Sequence, residues 1–430
     1  MFLAYKYTHF PAFSHEKNNE YLCVRKAIDM YSLRELYKIG KGPSSSHTMG
    51  PYKAAQIFVQ RHPQAARFEV TLYGSLAATG KGHMTDVAIT EALEPTAPVT
   101  ILWEPSHFLK YHPNGMLFKA FSADGTLEEE WTVYSVGGGA LSEGPGKEMS
   151  QGGEVYGMNT LTEIVKWCDD NGRNLWEYVD QCEGPEIWDY LMEIWNAMKA
   201  SVQRGLEAEG RLPGPLNLSR KAAVYYVKAL GYQPNLRTRG LVFAYALAVS
   251  EENASGGIIV TAPTCGSSGV LPGVLYHLAK GHNFSDTKIL RALATAGLIG
   301  NIVKQNASIS GAEVGCQGEV GVACAMASAA ASQIFGCSPY QIEYAAEMGL
   351  EHHLGMTCDP VCGLVQIPCI ERNAFAACRA LDSNIYSAFS DGHHRISFDH
   401  VVEVMKRTGK DLPSLYKETS AGGLALNYRQ

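Results

Sequence analysis

The sequence contains no stretch of strongly apolar residues long enough for a transmembrane helix. Its longest uncharged run, from Val320 to Ile342, is rich in Ala, Ser and Gly and includes Gln333, Pro339 and Gln341. That composition is typical of a buried helix and not of a membrane span. The first twenty residues also lack an apolar core followed by a small-residue cleavage site, so we expect no signal peptide and no association with a membrane.

An excess of positive charge is absent as well. The chain has 36 Lys and Arg residues against 43 Asp and Glu residues, for a net charge of −7. A nucleic-acid partner is therefore not expected, since phosphate backbones are bound by basic surfaces.

The cysteines do not form a pattern of pairs. There are 11 of them, an odd number, and many lie within apolar helical segments. This excludes a secreted disulfide framework and predicts a reducing compartment, the cytoplasm.

The length of 430 residues allows two domains around a large core. Residues 1–29 are predicted to be a poorly organised extension, because regular patterning begins only near Met30. Residues 30–155 are predicted to form an α/β domain, and residues 157–430 a mostly α-helical domain.

The α/β prediction depends on a few short patterns. Residues 31–39 and a segment starting at Pro51 are predicted to be helices, with another helix at 87–93. Strands are predicted at 68–73, 99–103 and 131–136. In the first strand, Phe68, Val70 and Leu72 alternate and should share one buried face.

Helical spacing dominates the rest of the chain. Thr160 and Glu163 form a capping box before a helix. Further helices are predicted at 187–208, 219–230, 239–252, 286–304, 318–335, 340–352, 371–390 and 398–408. Residues 257–263 form the only strand candidate in this half.

Three cysteines lie in unusual surroundings. Cys316 lies among glycines and acids in a small-residue segment, 306–330. Cys358 follows 42 residues after Cys316, and Cys369 follows 11 residues after Cys358. These spacings fit neither a zinc ribbon nor a local ferredoxin motif. Three thiols brought together by folding could still hold an iron–sulfur cluster with one iron left open. The other cysteines are interpreted as structural, with Cys265 and Cys362 near the site without being ligands.

Several long motifs resemble one family. They are GPSSSHTMGP (42–51), LYGSLAATGKGHMTD (72–86), HPNGM (112–116), NASISGAEVGCQGEVGVAC (306–324) and LGMTCDPVCGLVQIPCIERN (354–373). The chain resembles the iron–sulfur-dependent L-serine dehydratases, also called L-serine ammonia-lyases, from Met30 onward.

The resemblance implies a fold, a cofactor and an assembly. The first domain would be akin to the allosteric substrate-binding domain of phosphoglycerate dehydrogenase, and the second would be the catalytic domain. A [4Fe-4S] cluster would be held by Cys316, Cys358 and Cys369, and the protein would be a homodimer. Members of this type often end in a cysteine that caps the fourth iron. This sequence has the matching approach, YKETSAGGLAL, but ends in NYRQ, which leaves open whether water, substrate or another group takes that position.

Conversion of L-serine to pyruvate and ammonia requires a base at Cα and help for a poor leaving group. An open iron could supply that help as a Lewis acid. His83 is the preferred base, because imidazole titrates near neutral pH, and the resemblance favours it too. His47 and His112 are alternatives or helpers.

The substrate is predicted to contact two loops. Ser44, Ser45, Ser46, His47 and Thr48 open onto a helix, where hydroxyls and N–H groups suit a carboxylate. On sequence grounds they would suit a phosphate equally, and alone they would be read as an N-cap loop. His112 and Asn114 in HPNGM complete the predicted contacts.

Three alternatives remain open. One is an L-cysteine desulfidase with similar cluster chemistry. Another is a pyridoxal-phosphate lyase, with Gly137–Gly139 cradling the phosphate and Lys304 or Lys221 forming the Schiff base. The third is a non-catalytic serine sensor with a zinc-stabilised helical scaffold.

Overall fold

A computed structural model describes residues 30–147, 149, 153–426 and 428 of the chain. The predicted extension at 1–29 lies outside these residues. The described residues comprise a region built on a five-stranded sheet, called here the sheet part, and a larger region of packed helices, called here the helical part.

The strands form one main sheet and two small pairs. The main sheet has the order β4-β3-β5-β6-β7, in which β3 and β4 are parallel and the other neighbours antiparallel. The strands are β1 (Met30–Tyr31), β2 (Ile39–Lys41), β3 (Arg67–Tyr73), β4 (Val99–Glu104), β5 (Gly115–Phe121), β6 (Leu127–Ser135), β7 (Leu141–Ser142), β8 (Glu154–Tyr156) and β9 (Ile258–Val260).

Fifteen α-helices occur among the described residues, three of them in the sheet part. They are α1 (Gly50–Arg61), α2 (Gly74–Thr79), α3 (Thr85–Leu93), α4 (Leu161–Asn171), α5 (Leu175–Glu183), α6 (Glu186–Glu207), α7 (Ala222–Leu230), α8 (Pro234–Ala254), α9 (Val270–His282), α10 (Asp286–Asn306), α11 (Gly311–Val314), α12 (Val320–Ile334), α13 (Pro339–Glu351), α14 (Cys369–Ala388) and α15 (Phe398–Asp411).

The core of the sheet part lies between the sheet and α1 with α3. Phe68, Val70 and Leu72 of β3 are all buried, which confirms the predicted alternation. The Phe58 ring of α1 stacks on Trp131 of β6 with ring centroids 6.0 Å apart. Each such side chain contributes roughly 1.5–3 kcal/mol through burial, so this small core holds the sheet against its helices.

The helical part is centred on α12, which packs against α9, α10, α13 and α14. Nearly every residue of α12 is buried, and most of them are Ala, Gly, Ser or Val. Small side chains allow helix backbones to approach closely, and the predicted buried helix at 318–335 is confirmed. Thr160 caps α4 by accepting the N–H of Glu163, as predicted, but the Glu163 carboxylate accepts the Thr160 hydroxyl instead of its N–H, so only half of the capping box forms.

The predicted helix at 31–39 is wrong. Only Leu33–Glu35 form a 3₁₀ turn, between β1, which pairs with β8, and β2, which pairs with β9. Leu33 and Leu36 are buried at helical spacing, but the Glu183 carboxylate accepts the Leu33 N–H at 2.6 Å and the Ser32 hydroxyl at 2.6 Å. Glu183, a residue distant in sequence, therefore takes the place of the hydrogen bonds of a helix. The pairing of β2 with β9 attaches the chain to the helical part just before the serine-rich loop.

One long helix was not predicted. The α9 segment contains Pro272 and Gly273, both poor helix formers, and its burial on almost every side removes the periodic pattern. None of the helices in the described ranges is both long and apolar enough to cross a membrane.

Candidate active site

Several loops of the sheet part meet at one end of the sheet. The end of β3, the start of β5 and the end of β6 are adjacent, since Leu72 pairs with Met116 and Tyr134 pairs with Gly115. The segment carrying His83, the HPNGM loop and the β6–β7 turn are therefore brought to a common edge. The helical part supplies the cysteines opposite this edge.

Cys316 lies on a 3₁₀ turn, Gly315–Gly318, between α11 and α12. Its N–H donates to the Met356 carbonyl at 3.0 Å. Gly315 has a φ of +72°, and a Cβ there would lie 2.7 Å from that same carbonyl oxygen. Glycine at this position therefore allows the turn to sit against the segment that leads to Cys358.

The other two thiols come from separate segments. Cys358 pairs with the chain near Lys417: its N–H donates to the Tyr416 carbonyl at 2.8 Å, and its carbonyl accepts the Thr419 N–H at 3.2 Å. Cys369 is the first residue of α14. Backbone hydrogen bonds and a helix start thus fix the positions of these two cysteines.

All three cysteines line a single cavity, named here the thiol cavity. Ser44 and His83 from the sheet part line it too, as do Glu319 and Glu418. The three predicted ligands, separated in sequence, are therefore brought together. No lysine or arginine lines this cavity within the described part of the chain.

The thiols differ in acidity. The Cys358 thiol hydrogen-bonds to Cys316 and lowers the pKa of Cys316 to about 6, against the effect of burial and with help from the Arg372 guanidinium. That hydrogen bond raises the pKa of Cys358, and burial raises the pKa of Cys369. A thiolate is the form that binds metals, and the Arg372 guanidinium favours that form at Cys316.

Cys265 and Cys362 are placed apart from this set. The Cys265 sulfur lies 3.4 Å from the Met49 sulfur, and burial raises the pKa of its thiol. Cys362 is exposed and lines a different depression beside Lys81 and Trp103. None of the ten cysteines in the described residues forms a disulfide.

His83 lies in the turn between α2 and α3, facing the thiol cavity. It is 2% exposed, and its Nδ1 has no hydrogen-bond partner within the described ranges. Burial first, and then His47, lower the pKa of His83 to about 3. The imidazole is therefore neutral at physiological pH, although the sequence argument expected it to titrate near neutrality.

The serine-rich loop folds into a π-helical turn, Ser45–Met49, before α1. Ser44 caps it by accepting the His47 N–H at 3.1 Å, and of the five predicted substrate contacts here only Ser44 lines the thiol cavity. The Thr48 hydroxyl donates to the His83 carbonyl at 2.7 Å. Ser45 and Ser46 are buried around the same turn, so most of this loop supports the site from behind.

His47 is fully buried with both ring nitrogens in hydrogen-bond contact. Its Nδ1 lies 3.1 Å from a Glu418 oxygen, and its Nε2 lies 3.3 Å from the Ser75 hydroxyl. Its ring meets His83 edge-on with centroids 4.6 Å apart. His47 therefore orients its neighbours.

His112 and Asn114 lie close to the site but outside the lining of the thiol cavity. The His112 Nδ1 accepts the Asn114 N–H at 3.1 Å, and its Nε2 lies 3.7 Å from Glu313. Asn114 donates to the Ser135 carbonyl at 3.3 Å, while its Oδ1 has no partner among the described residues. This pair shapes the loop.

Two acids in the cavity were missed by sequence reasoning. Glu319 accepts the Thr264 hydroxyl at 2.8 Å and lies 3.8 Å from the Cys358 sulfur, and burial raises its pKa. Burial alone would also raise the pKa of Glu418, but His47, His83 and His112 hold it at about 2. The available signal for Glu418 was a lone carboxylate in the tail motif YKETSAGGLAL.

His47, His83 and Glu418 form a second group of donors. All are buried, and their ligand atoms lie within 4.8 Å of one another. Such a group could hold a proton network or a cation.

These features define a two-part protein in which thiols from a helical region face a histidine and a carboxylate at one end of a sheet. Comparison with family models agrees. The serine dehydratase beta chain model matches residues 32–105, and the serine dehydratase alpha chain model matches residues 116–425. The boundary between the two matches falls between β4 and β5, within the main sheet.

Curated relatives match over nearly their whole length. L-serine dehydratase of Streptomyces coelicolor is 40% identical over 92% of this chain and 98% of its own. L-serine dehydratase of Haemophilus influenzae is 41% identical, and L-serine dehydratase 1 of Escherichia coli 39%, each over 92% of this chain and 99% of its own. The chain belongs to the L-serine dehydratase family, with both of its parts in one polypeptide.

Proposed function

We propose that the protein converts L-serine to pyruvate and ammonia and that Cys316, Cys358 and Cys369 hold a [4Fe-4S] cluster. One observation carries the proposal: three cysteines distant in sequence line one cavity together with a buried histidine. L-serine is proposed as the substrate because the relatives are named L-serine dehydratase.

The donor set fits such a cluster. Three thiols without a fourth would leave one iron open, and soft sulfur ligands favour iron–sulfur centres. Arg372 contacts Cys316, so a positive charge stands beside the thiolates that a cluster requires. When bound, the cluster would act as a Lewis acid toward the substrate hydroxyl.

His83 is the proposed base. His83 lines the cavity with a neutral ring, and its Nδ1 has no partner among the described residues, so we assign to Nδ1 the removal of the Cα proton as hydroxide leaves Cβ. The product, aminoacrylate, tautomerises to an imine, and water hydrolyses the imine to pyruvate and ammonia. His47, bonded on both nitrogens, holds the His83 side of the cavity in place.

The substrate carboxylate is proposed to lie toward Ser44, at the start of the turn that leads into α1. That end carries N–H groups and hydroxyls. His112 and Asn114 are proposed to support this end from the neighbouring loop.

The pyridoxal-phosphate alternative finds no support in these positions. Gly137–Gly139 form the turn between β6 and β7, closed by the Ala140 N–H to the Gly137 carbonyl at 2.9 Å. Lys304 donates to the Glu35 carbonyl at 3.0 Å, and Lys221 pairs with Glu371 at 3.1 Å. Neither lysine lines the thiol cavity.

Assembly and location are also proposals. Exposed apolar side chains on α7 and α14, including Val227 and Tyr386, are candidates for a homodimer contact. Light scattering on purified protein tests this. Free cysteines throughout the described residues agree with the reducing cytoplasm.

We propose the boundaries 30–155 and 157–430 for the two domains, and a kinship of the first with the substrate-binding domain of phosphoglycerate dehydrogenase. Placing β5, β6 and β7 in the main sheet supports the first boundary. Residues 30–41, however, pack with the helical core.

The deciding experiment is a pyruvate assay on L-serine with anaerobically purified protein, with L-cysteine as the comparison substrate. Pyruvate from serine in proportion to bound iron supports the proposal. Pyruvate formation from serine by iron-free protein would overturn the cluster mechanism, and release of sulfide from cysteine without turnover of serine would favour the desulfidase.

A further inference from the structure

We propose that Glu418 binds the α-ammonium group of the substrate through its Oε2 atom. This inference rests on the proposed function, since it assigns a partner to one group of an amino-acid substrate. It concerns a residue in the segment that follows α15.

The backbone around Glu418 is held by three hydrogen bonds to two residues, Cys358 and Ser75. Its neighbours Tyr416 and Thr419 hydrogen-bond to the backbone of Cys358, and the Ser75 hydroxyl donates to the Glu418 carbonyl at 3.3 Å. The residue adopts a φ of +48°, which is uncommon outside glycine. This conformation sends the side chain into the thiol cavity.

The two carboxylate oxygens have different surroundings. Oε1 lies 3.1 Å from His47 Nδ1 and accepts the Ser46 hydroxyl at 3.4 Å. Oε2 is buried and has no hydrogen-bond partner among the described residues. A buried carboxylate oxygen without a donor is costly, so this atom is suited to a ligand that brings one.

The position of the Glu418 carboxylate matches the geometry of an α-amino acid. In serine, the ammonium group and the proton to be removed are attached to the same carbon. A base and an ammonium acceptor must therefore be neighbours, and the ligand atoms of His83 and Glu418 lie within 4.8 Å of each other.

The charges of the cavity favour a cationic group at this place. Glu319 is the other acid in the lining. It lies on the thiol side, where its carboxylate already accepts the Thr264 hydroxyl. No lysine or arginine of the described residues lines the cavity to pair with Oε2 of Glu418. The same negative charge would repel a substrate carboxylate, which leaves the Ser44 side for that group.

The test uses cluster-loaded Glu418→Gln and two ligands that differ only at the amino group. L-serine carries the ammonium, and 3-hydroxypropionate has hydrogen in its place. We expect kcat/KM for L-serine to fall roughly 10- to 100-fold, the value of a hydrogen bond between charged groups. The inhibition constant of 3-hydroxypropionate should not rise, since the lost contact does not involve it and its carboxylate is no longer repelled by Glu418.

Iron and sulfide content must match the wild type, and Glu403→Gln, the same change at an exposed acid on α15, is the control. Equal weakening of both ligands would overturn the inference, because it would indicate a structural role. The inference would also be overturned if Glu418→Gln lost a bound divalent metal but kept the wild-type preference for L-serine over 3-hydroxypropionate. If Glu418→Gln loses iron, Glu418→Asp is used in its place. The same comparison then applies, between kcat/KM for L-serine and the inhibition constant of 3-hydroxypropionate.

Failure of the proposed function is distinguishable. A wild-type protein that forms no pyruvate from serine would refute that function before any variant is made. A wild type that turns over serine, with an unchanged serine preference in Glu418→Gln, would refute only the role of Glu418.

Discussion

The two sides of the thiol cavity are built differently. On the helical side, Cys316 and Cys358 are placed by backbone hydrogen bonds and by close approach of small residues around α12. On the sheet side, the His83 N–H donates to the Thr79 carbonyl at 3.1 Å, and side chains add to this through the Thr48 hydroxyl and the adjoining His47 ring. Backbone contacts thus place the thiols, whereas side-chain hydrogen bonds take a larger part in placing His83.

Removing a sulfur should have the largest effect. Cys316→Ser, Cys358→Ser and Cys369→Ser should each lose bound iron and reduce serine turnover about 1000-fold or more, since a Lewis acid supplies several kcal/mol of stabilisation. Iron analysis and the pyruvate assay measure both. Cys362→Ser, four residues after Cys358 but exposed, should retain iron; loss there would show that the ligand set is wrong.

Removing the proposed base should lower turnover without loss of the cluster. His83→Ala should keep iron and sulfide while kcat falls about 100- to 10,000-fold, as expected for loss of a general base. His62→Asn, at a surface histidine paired with Glu129, serves as the control. Full activity of His83→Ala would assign the proton transfer to another group, with His47 the next candidate.

Adding one methyl group should disturb the thiol side alone. A Cβ at Gly311 would lie 2.7 Å from a Glu319 oxygen and 3.2 Å from the Cys358 sulfur. Gly311→Ala should cost about 1–3 kcal/mol of stability and lower iron retention. Gly281→Ala, on α9 with open space around it, should have neither effect. Iron analysis and denaturant unfolding measure the two effects. Equal iron content and equal stability in Gly311→Ala and Gly281→Ala would contradict this prediction.

Acid should weaken the helical part through a buried imidazole. Burial lowers the pKa of His277 from 6.5 to about 4, so the unfolded state binds more protons between these values. The free energy of unfolding should therefore fall as the pH drops from 6.5 toward 4, by up to about 3 kcal/mol from this group. His277→Asn should show a shallower decline in urea titrations; an unchanged slope would refute the contribution.

Sequence and structure agree most where the signal is local. The alternation of Phe68, Val70 and Leu72, the N-cap at Thr160 and the small-residue helix α12 each follow from neighbouring residues. The three cysteines were chosen by their unusual surroundings, and only folding shows that they line one cavity.

The disagreements arise from tertiary partners. Glu183 replaces the helical bonds predicted at 31–39, and burial on almost every side hides α9. The neutrality of His83 depends on desolvation, which local sequence does not encode. Local sequence does not identify Glu418, because the histidines around its carboxylate lie more than 300 residues away in the chain.

The most direct test is to purify the wild-type chain without oxygen and quantify iron, acid-labile sulfide and pyruvate formation from L-serine. The account predicts about four iron and four sulfide per chain, with activity that declines together with the cluster on exposure to air. Full serine dehydratase activity in protein that contains no iron would contradict it.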